Sequence, residues 1–584
     1  MQNNEMIIGM VGRGGDGVIT VGDILVSGAA SEGLNCFMLK SFGPQIRGGE
    51  SSCQIRISTG SIYSQGDRVD ILCVFSWEEY QKFSSELELR NGGIVICEEK
   101  DEYCAQGLPI DEKLIGTLYT IPFIQIAKDR VGTPVVKNMV LIGILCALFG
   151  LPAEMMAKSI RKRFGKREKA LELNLKGLNA GYEYGMTLER KDDFSFSYTP
   201  SESKVIIDGN EAIAYGALYA GCRFFAGYPI TPASEIMEWL SRELPRFDGV
   251  MIQAEDEIAA AGMCVGASYA GMKAMTATSG PGLSLMTEML GLSSMAEIPF
   301  VLVDVQRVGP ATGIPTKSEQ SDLQHALYGT HGDAVRVVIA PVDIEDCFDV
   351  TVEAFYIAEK YQVPVIILSD QFIGHRKETV RKMEIGEHNG FTKRFDRQRP
   401  SDEELRNYRR FKITESGVSP MTHPGIKGGQ YIAVGIEHDE NGNVSSTAEN
   451  HEMMNQKRFR KCQLIREELD FVRRYGPKDA PLGVIAWGSS KGVVEEAVLI
   501  ANREGIRVSA FIPQILYPLP FKKFEAFFEP LKRVIVVEQS YSAQFLKYLR
   551  SHFNLPFDPI LYKRSGAKAL TVGEILTQIR KAAR

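Results

Sequence analysis

Between residues 203 and 375 the chain repeats one pattern: a short apolar run, a tight turn, then a helical period. Phe224-Phe225-Ala226, Val250–Ala254, Met275–Thr278 and Phe300–Val305 read as buried strands. Asn210–Ala220, Ser234–Leu244 and Leu283–Glu297 read as helices. Strands that alternate with helices build a parallel, doubly wound α/β sheet. Ligands of such sheets bind beyond the carboxyl ends of the strands. The turns expected at those ends are Tyr228-Pro229-Ile230-Thr231-Pro232, Glu255-Asp256-Glu257, Ser279-Gly280-Pro281-Gly282 and the loop Arg307–Thr316.

Each turn admits a plain reading and a chemical one. Pro229 and Pro232 fix φ on either side of Thr231, which serves a helix start or a hydroxyl held for a ligand. The carboxylates from Glu255 to Glu257 suit a helix dipole. Burial of Glu257 would instead raise its pKa and make it a proton donor near neutral pH. The helix after it is unusually small-sided, with Ala259, Ala260, Ala261, Gly262, Gly266 and Ala267, so another backbone or a cofactor can approach. Arg307 is an always-charged fork beside hydroxyls, suited to a carboxylate or to a salt bridge across an interface.

A chain of 584 residues is too long for one core, so three or four domains are expected. The net charge of −6 gives no general attraction for nucleic acid or membrane. The first residues lack a secretory pattern, and the apolar run Met139–Leu151 is too short to cross a bilayer. A cytoplasmic location is therefore expected. Ten cysteines are scattered without a CxxC. They read as reduced core thiols rather than as ligands of an iron–sulfur cluster.

The first 190 residues form a region of their own. Met6–Val11 is a buried strand, Gly12-Arg13-Gly14-Gly15-Asp16-Gly17 a turn and Val18–Glu32 a helix. That context suits a phosphate cradle or a tight turn without a ligand. The Gly-Asp-Gly triplet is not the start of a metal–diphosphate motif, because Asn35 follows too early. Ser41–Glu50 is a glycine loop holding Arg47, a candidate anion contact. Cys53, Ile55 and Ile57 alternate with polar residues, as in a half-buried strand. The basic run from Lys158 to Arg167 reads as a solvated face, or as a dock for an acidic electron carrier. Residues 191–202 read as a linker. Residues 376–480 are rich in charge, and His438–Asn443 reads as a surface turn. Residues 481–584 return to strand–helix alternation, with Glu538-Gln539-Ser540 at a strand end.

These motifs resemble the 2-oxoacid:ferredoxin oxidoreductases over nearly the whole chain. The resemblance rests on YPITPASE at 228–235, the Glu255-Asp256-Glu257 helix start, TSGPG at 278–282 and RVGPATGIPT at 307–316. GRGGDG at 12–17 and SFGPQIRGGESS at 41–52 are similar to the family's γ domain. The resemblance implies a γ–α fusion: a γ domain over 1–190, a thiamine-enzyme pyrimidine domain over 203–375, a charged connection over 376–480 and a transketolase C-terminal-like domain over 481–584.

The implied reaction is decarboxylation of a 2-oxoacid on thiamine diphosphate, with electrons passing to ferredoxin and the acyl group to coenzyme A. HPGIKGGQY at 423–431 and GIEHDENG at 435–442 look most like the 2-oxoglutarate branch. Branched-chain or aryl 2-oxoacids and pyruvate are the alternatives, and a non-catalytic coenzyme A-presenting subunit is a reading of another class. The resemblance makes Glu257 the proton-handling carboxylate, with Glu255 as fallback. It sets Thr231 over the reactive centre and gives Arg307 and Thr316 the substrate carboxylate. Tyr228, Pro229, Ile230 and Thr231 line the cofactor, and Gly12, Arg13, Gly14, Gly15, Gly17 and Arg47 take coenzyme A phosphates. Mg²⁺, the diphosphate grip and a [4Fe-4S] cluster fall to a β subunit in an expected α₂β₂ assembly.

Overall fold

The computed structural model describes residues 2–43, 49–380, 395–469, 471–555 and 557–584. It divides into two compact units. The first comprises Met1–Asp208 with His375–Met383 and Thr571–Gly573; the second comprises Gly209–Gly374, Glu384–Leu570 and Glu574–Arg584.

The first unit is built on a mixed eight-stranded sheet. Its strands are β1 (Glu5–Gly12), β2 (Asn35–Phe42), β3 (Ser51–Ser58), β4 (Val69–Val74), β5 (Leu89–Glu98), β6 (Ile115–Ile121) and β7 (Val205–Asp208), with Lys377–Val380 between β2 and β7. β1, β4, β5 and β6 run parallel, while β1, β3 and β2 pair antiparallel. Helix α1 (Val18–Ser31) starts from Gly17, whose φ of 77° suits glycine. A Cβ there would lie 2.3 Å from the Asn138 side-chain nitrogen. Helix Lys137–Phe149 is buried almost all round, as its run of apolar residues requires. Helix α2 (Ala153–Phe164) packs against α1.

Two expectations change here. The strand at Cys53–Ile57 is fully rather than half buried, because α1 packs on its apolar face and the chain at Ser64 and Gln65 covers Gln54 and Arg56 on the other. Arg56 pairs with Glu5 at 2.9 Å and donates to the Ser64 carbonyl at 3.0 Å. The segment read as a linker carries Ser195–Phe196, paired with Gln2–Asn3. Phe194 and Phe196 belong to this unit's core, so the segment is docked. β7 and Lys377–Val380 also belong to this sheet and not to the one between them in sequence.

The second unit holds a seven-stranded and a five-stranded sheet. The larger contains β8 (Phe224–Gly227), β9 (Val250–Gln253), β10 (Ala274–Thr278), β11 (Phe300–Gln306), β12 (Val337–Ile339) and β13 (Pro364–Asp370) in the order β9-β8-β10-β11-β13-β12. These six are parallel, and Ile515–Tyr517 closes one edge antiparallel. β11 and β13 are buried on both faces, which explains their continuous apolar runs. Helices α3 (Glu257–Tyr269) and α4 (Gly280–Ala296) cover one face. Gly280-Pro281-Gly282 is the first turn of α4 rather than a separate turn, with proline where its missing N–H costs nothing.

The five-stranded sheet contains Val472–Tyr475, Leu482–Ile485, Val508–Pro513, Arg533–Glu538 and Ile560–Lys563. Glu538 accepts from the amides of Phe545 at 3.0 Å and Leu546 at 3.1 Å, so it caps helix Gln544–His552. His438–Asn443 is the expected turn, with the Asp439 amide bonded to the Asn443 carbonyl at 2.9 Å. Its histidine is buried against Phe411, not on the surface. Helix Ala448–Glu468 is held by an internal ionic cluster, in which Lys457 and Lys461 both pair with the buried Glu297.

Candidate functional site

The chain leaves β8 toward β9 on one side and later enters β10 on the other. The direction of winding therefore reverses between β8 and β10. At such a switch point the turns splay apart and open a crevice at the carboxyl edge. The four turns leave the neighbouring strands β8, β9, β10 and β11. Gly227 is level with Gln253, and Thr278 with Asp304.

Arg307 ends β11 and is 7% exposed. Its Nη1 donates to the main-chain carbonyl of Thr231 at 2.6 Å. Thr231 itself is half-buried, and the turn before it shows Tyr228 to solvent at 42% exposure. Pro229 is exposed and Ile230 half-buried. Thr316 is buried, and its carbonyl accepts from Gln371 at 2.7 Å. The bridge between Val308 and Ile314 folds the Gly/Pro/Thr loop back on itself.

Asp256, not Glu257, caps α3: its side chain accepts from the Ala259 amide at 2.7 Å. Glu255 is exposed. Glu257 turns inward, is 7% exposed and has no hydrogen-bond partner among the described residues. It packs on Gly282, where a Cβ would lie 2.7 Å from Glu257 Cγ and 1.9 Å from Thr278 Oγ1. Only glycine lets the first turn of α4 come this close.

Two carboxylates behind Arg307 were missed by the sequence reading. Asp304 lies in β11, is 0% exposed and has neither oxygen bonded among the described residues. The Asp322 amide donates to Gln306 at 3.1 Å, while its buried Oδ2 has no partner among those residues. Burial, with the charge of Asp322, pushes Asp304 well above the usual carboxylate range, against the pull of Arg307. Burial and the charge of Glu319 push Asp322 up to about 7, again opposed by Arg307. Burial pulls the Arg307 guanidinium down, and both aspartates oppose that. The signal was present in the sequence: an aspartate inside the apolar run Phe300–Val305 is costly unless it is neutral or paired.

The glycine loop lies in the first unit. Gly14 and Gly15 are exposed, and Gly15 has a φ of 93°. The Arg13 amide donates to Asp16 at 2.8 Å, and Lys137 pairs with Asp16 at 2.8 Å. Arg13 pairs with Glu78 at 2.5 Å. Gly12 ends β1 against the Asp16 side chain. Asp16 thus organises the turn from within, and Gly17 starts α1 without a side-chain cap. Arg47 falls outside the described residues.

Comparison with known proteins places these features in a family. Residues 215–457 match the thiamine diphosphate-binding model of pyruvate flavodoxin/ferredoxin oxidoreductases. Residues 7–184 match the pyruvate ferredoxin/flavodoxin oxidoreductase model, and 480–557 match core domain II of pyruvate:ferredoxin oxidoreductase. The chain is 33% identical over 554 residues to 2-oxoglutarate oxidoreductase subunit KorA of Mycobacterium tuberculosis, covering 88% of this chain and 82% of that one. It is 40% identical over 346 residues to 2-oxoglutarate synthase subunit KorA of Methanothermobacter thermautotrophicus, covering 59% and 90%. A solved 2-oxoglutarate:ferredoxin oxidoreductase from Magnetococcus marinus, with 2-oxoglutarate, coenzyme A and succinyl-CoA bound, superposes with a TM-score of 0.93. It is 36% identical and covers all of both chains.

Proposed function

Because the chain belongs to the 2-oxoacid:ferredoxin oxidoreductases, a family of thiamine-dependent enzymes, we propose that it is the fused γ–α subunit that oxidises 2-oxoglutarate to succinyl-CoA and CO₂. What supports this reading is that the Thr231 turn, bonded by Arg307, and the helix start carrying Glu257 follow neighbouring strands at the carboxyl edge of one parallel sheet. The 2-oxoglutarate choice is supported by the named substrates of the relatives.

The residues fit the pyrimidine half of thiamine diphosphate. Glu257 is an inward carboxylate whose side chain has no partner among the described residues, packed closely against Gly282. When bound, the cofactor supplies the nucleophilic carbon and the electron sink for decarboxylation. Glu257 would be the carboxylate that handles a proton at the bound cofactor's ring. Tyr228, Pro229 and Ile230 would wall the cofactor, and Thr231 would offer its hydroxyl to the reacting centre. Arg307 binds the 2-oxoacid carboxylate through its fork, aided by Thr316. Its bond to the Thr231 carbonyl fixes the fork relative to that hydroxyl.

The remaining parts come from this chain's first unit and from other subunits. Gly12, Arg13, Gly14, Gly15 and Gly17 cradle coenzyme A phosphates. A β subunit holds Mg²⁺, the diphosphate and a [4Fe-4S] cluster, because this chain lacks their sequence spacings. Ferredoxin takes the electrons, and the assembly is α₂β₂.

The test is to copurify the chain with its β subunit and measure coenzyme A-dependent ferredoxin reduction. 2-Oxoglutarate should give the highest kcat/KM among 2-oxoglutarate, pyruvate, 2-oxoisovalerate and phenylpyruvate. A preference for pyruvate would refute the substrate assignment, and no turnover of any 2-oxoacid by the intact assembly would refute the catalytic role.

A further inference from the structure

The basic run of α2 divides between two faces. Arg161 turns outward to Glu154 at 2.7 Å. Lys158, Lys162 and Arg163 instead line a cleft of about 620 Å³ in the first unit. Lys204, just before β7, and Lys377 of the neighbouring strand line it too, so residues far apart in sequence meet there. The cleft thus carries five cationic side chains and one carboxylate, Asp23, in a chain whose net charge is −6.

Asp23 does not cancel this excess; it arranges it. It pairs with Arg163 at 3.1 Å and with Lys377 at 2.8 Å, holding two cations from different elements in fixed places. Lys158 reaches Glu32 at 3.5 Å. Lys204 leans on the Asn35 side chain. Lys162 is exposed and has no ion-pair partner among the described residues. The floor is different in kind. Val205 of β7 is 43% exposed and Ile206 half-buried, so they give the cleft an apolar surface over the buried Ile24, Val26 and Ala30 of α1, and Ser27 adds a hydroxyl.

We propose that this cleft binds a small phosphorylated anion carrying an apolar group, of the nucleotide class. Cations around the rim suit phosphate oxygens, and Val205 and Ile206 suit a ring or aliphatic portion. A volume of about 620 Å³ is within the range of small-ligand pockets. The site is separate from the glycine loop, which precedes the start of α1, whereas the cleft follows α1 from Asp23 to Ser31.

The test is calorimetric titration of the chain assembled with its partner, using ATP, inorganic tripolyphosphate and coenzyme A as probes. ATP should bind more tightly than tripolyphosphate, because only ATP also uses the apolar floor. Affinity for ATP should fall roughly tenfold from low salt to about 0.3 M as the cations are screened. Lys162→Glu should weaken ATP at least ~10-fold, while Lys166→Glu, on the same basic run but outside the cleft, should change nothing. If coenzyme A displaces ATP and its KM rises in Lys162→Glu, the ligand is the nucleotide of coenzyme A; ATP that coenzyme A does not displace identifies a separate nucleotide. Absence of ATP and tripolyphosphate binding would overturn the proposal. So would equal weakening by both substitutions, or a higher KM for ferredoxin in Lys162→Glu with ATP binding unchanged, which would make the patch a protein dock.

Discussion

Arg307 reaches from the end of one strand to the main-chain carbonyl of Thr231, 2.6 Å away, on the turn that leaves a strand two places across the sheet. That bond couples a charge to a hydroxyl-bearing turn with no side-chain intermediary. It is the tightest geometric link between the proposed substrate clamp and the proposed cofactor wall.

Replacing Arg307 should therefore act on substrate affinity and on the turn together. Arg307→Lys keeps a charge but loses the planar fork. Its KM for the 2-oxoacid should rise roughly tenfold, consistent with about 1.5–3 kcal/mol for a hydrogen bond to a charged group. Arg307→Ala should raise KM further and also lower kcat, because the Thr231 carbonyl loses its donor. Steady-state kinetics on the assembled enzyme separate the two effects, and an unchanged KM in both variants would remove the clamp.

The aspartates behind the clamp predict a pH dependence. Asp322 is pushed up to about 7, above the ordinary carboxylate value of 3.8. The native state therefore holds more protons than the unfolded chain between those values, and stability falls as pH rises through that window. Asp322→Asn should remove this loss. The variant should melt higher than the parent at pH 8, by on the order of 2 kcal/mol, with the advantage shrinking toward pH 4. Thermal melts across that range provide the check, and a constant difference at every pH would contradict it.

Much of this was legible before the fold was known. The turns after β8, β9, β10 and β11 were readable because apolar runs and Gly/Pro signals bracket them, and those runs place their ends together in any parallel sheet. What was not legible depended on distant partners. Ser51–Ser58 looks half-buried because Gln54 and Arg56 are polar, yet their face is covered by the chain at Ser64 and Gln65, where Gln54 and Arg56 find partners outside the strand. Lys377–Val380 joins a sheet whose other strands are mostly contributed by the first hundred residues, a pairing that no local pattern encodes. The inward turn of Glu257, as against Glu255, became visible only when Asp256 was seen to take the cap.

Glu297 tests the internal ionic cluster. Burial pushes its carboxyl up, but Lys457, Lys461 and Arg410 outweigh this and hold it well below the usual range. Burial pulls Lys457 down to about 7, with Glu297 opposing. Glu297→Gln would leave two buried ammonium groups facing a neutral amide. The expected loss is about 3–5 kcal/mol of stability, read by denaturant unfolding. A double change of Glu297→Gln with Lys457→Met should recover part of it, since one stranded charge is removed.

Gly282 should tolerate no side chain. In Gly282→Ala the new Cβ would meet Thr278 Oγ1 at 1.9 Å and Glu257 Cγ at 2.7 Å. Either the first turn of α4 shifts or Glu257 is driven from its place. Activity should fall at least ~10-fold, with overpacking costing roughly 1–3 kcal/mol of stability. Full activity with an unchanged melt would show that the close approach is not needed.

The sharpest test of the site concerns Glu257. Its carboxylate lies inward, lacks a partner among the described residues and sits beside the glycine wall, whereas Glu255 is exposed and Asp256 is occupied by the Ala259 amide. Glu257→Gln preserves shape and burial but cannot exchange a proton. It should lower kcat by roughly 10²–10⁴ while the assembly stays intact by size-exclusion chromatography. Binding of thiamine diphosphate, followed by calorimetry, should weaken far less than turnover falls. Glu255→Gln in parallel should leave kcat near the parent value. If instead Glu255→Gln abolished turnover and Glu257→Gln did not, the proton-handling role would belong to the exposed carboxylate.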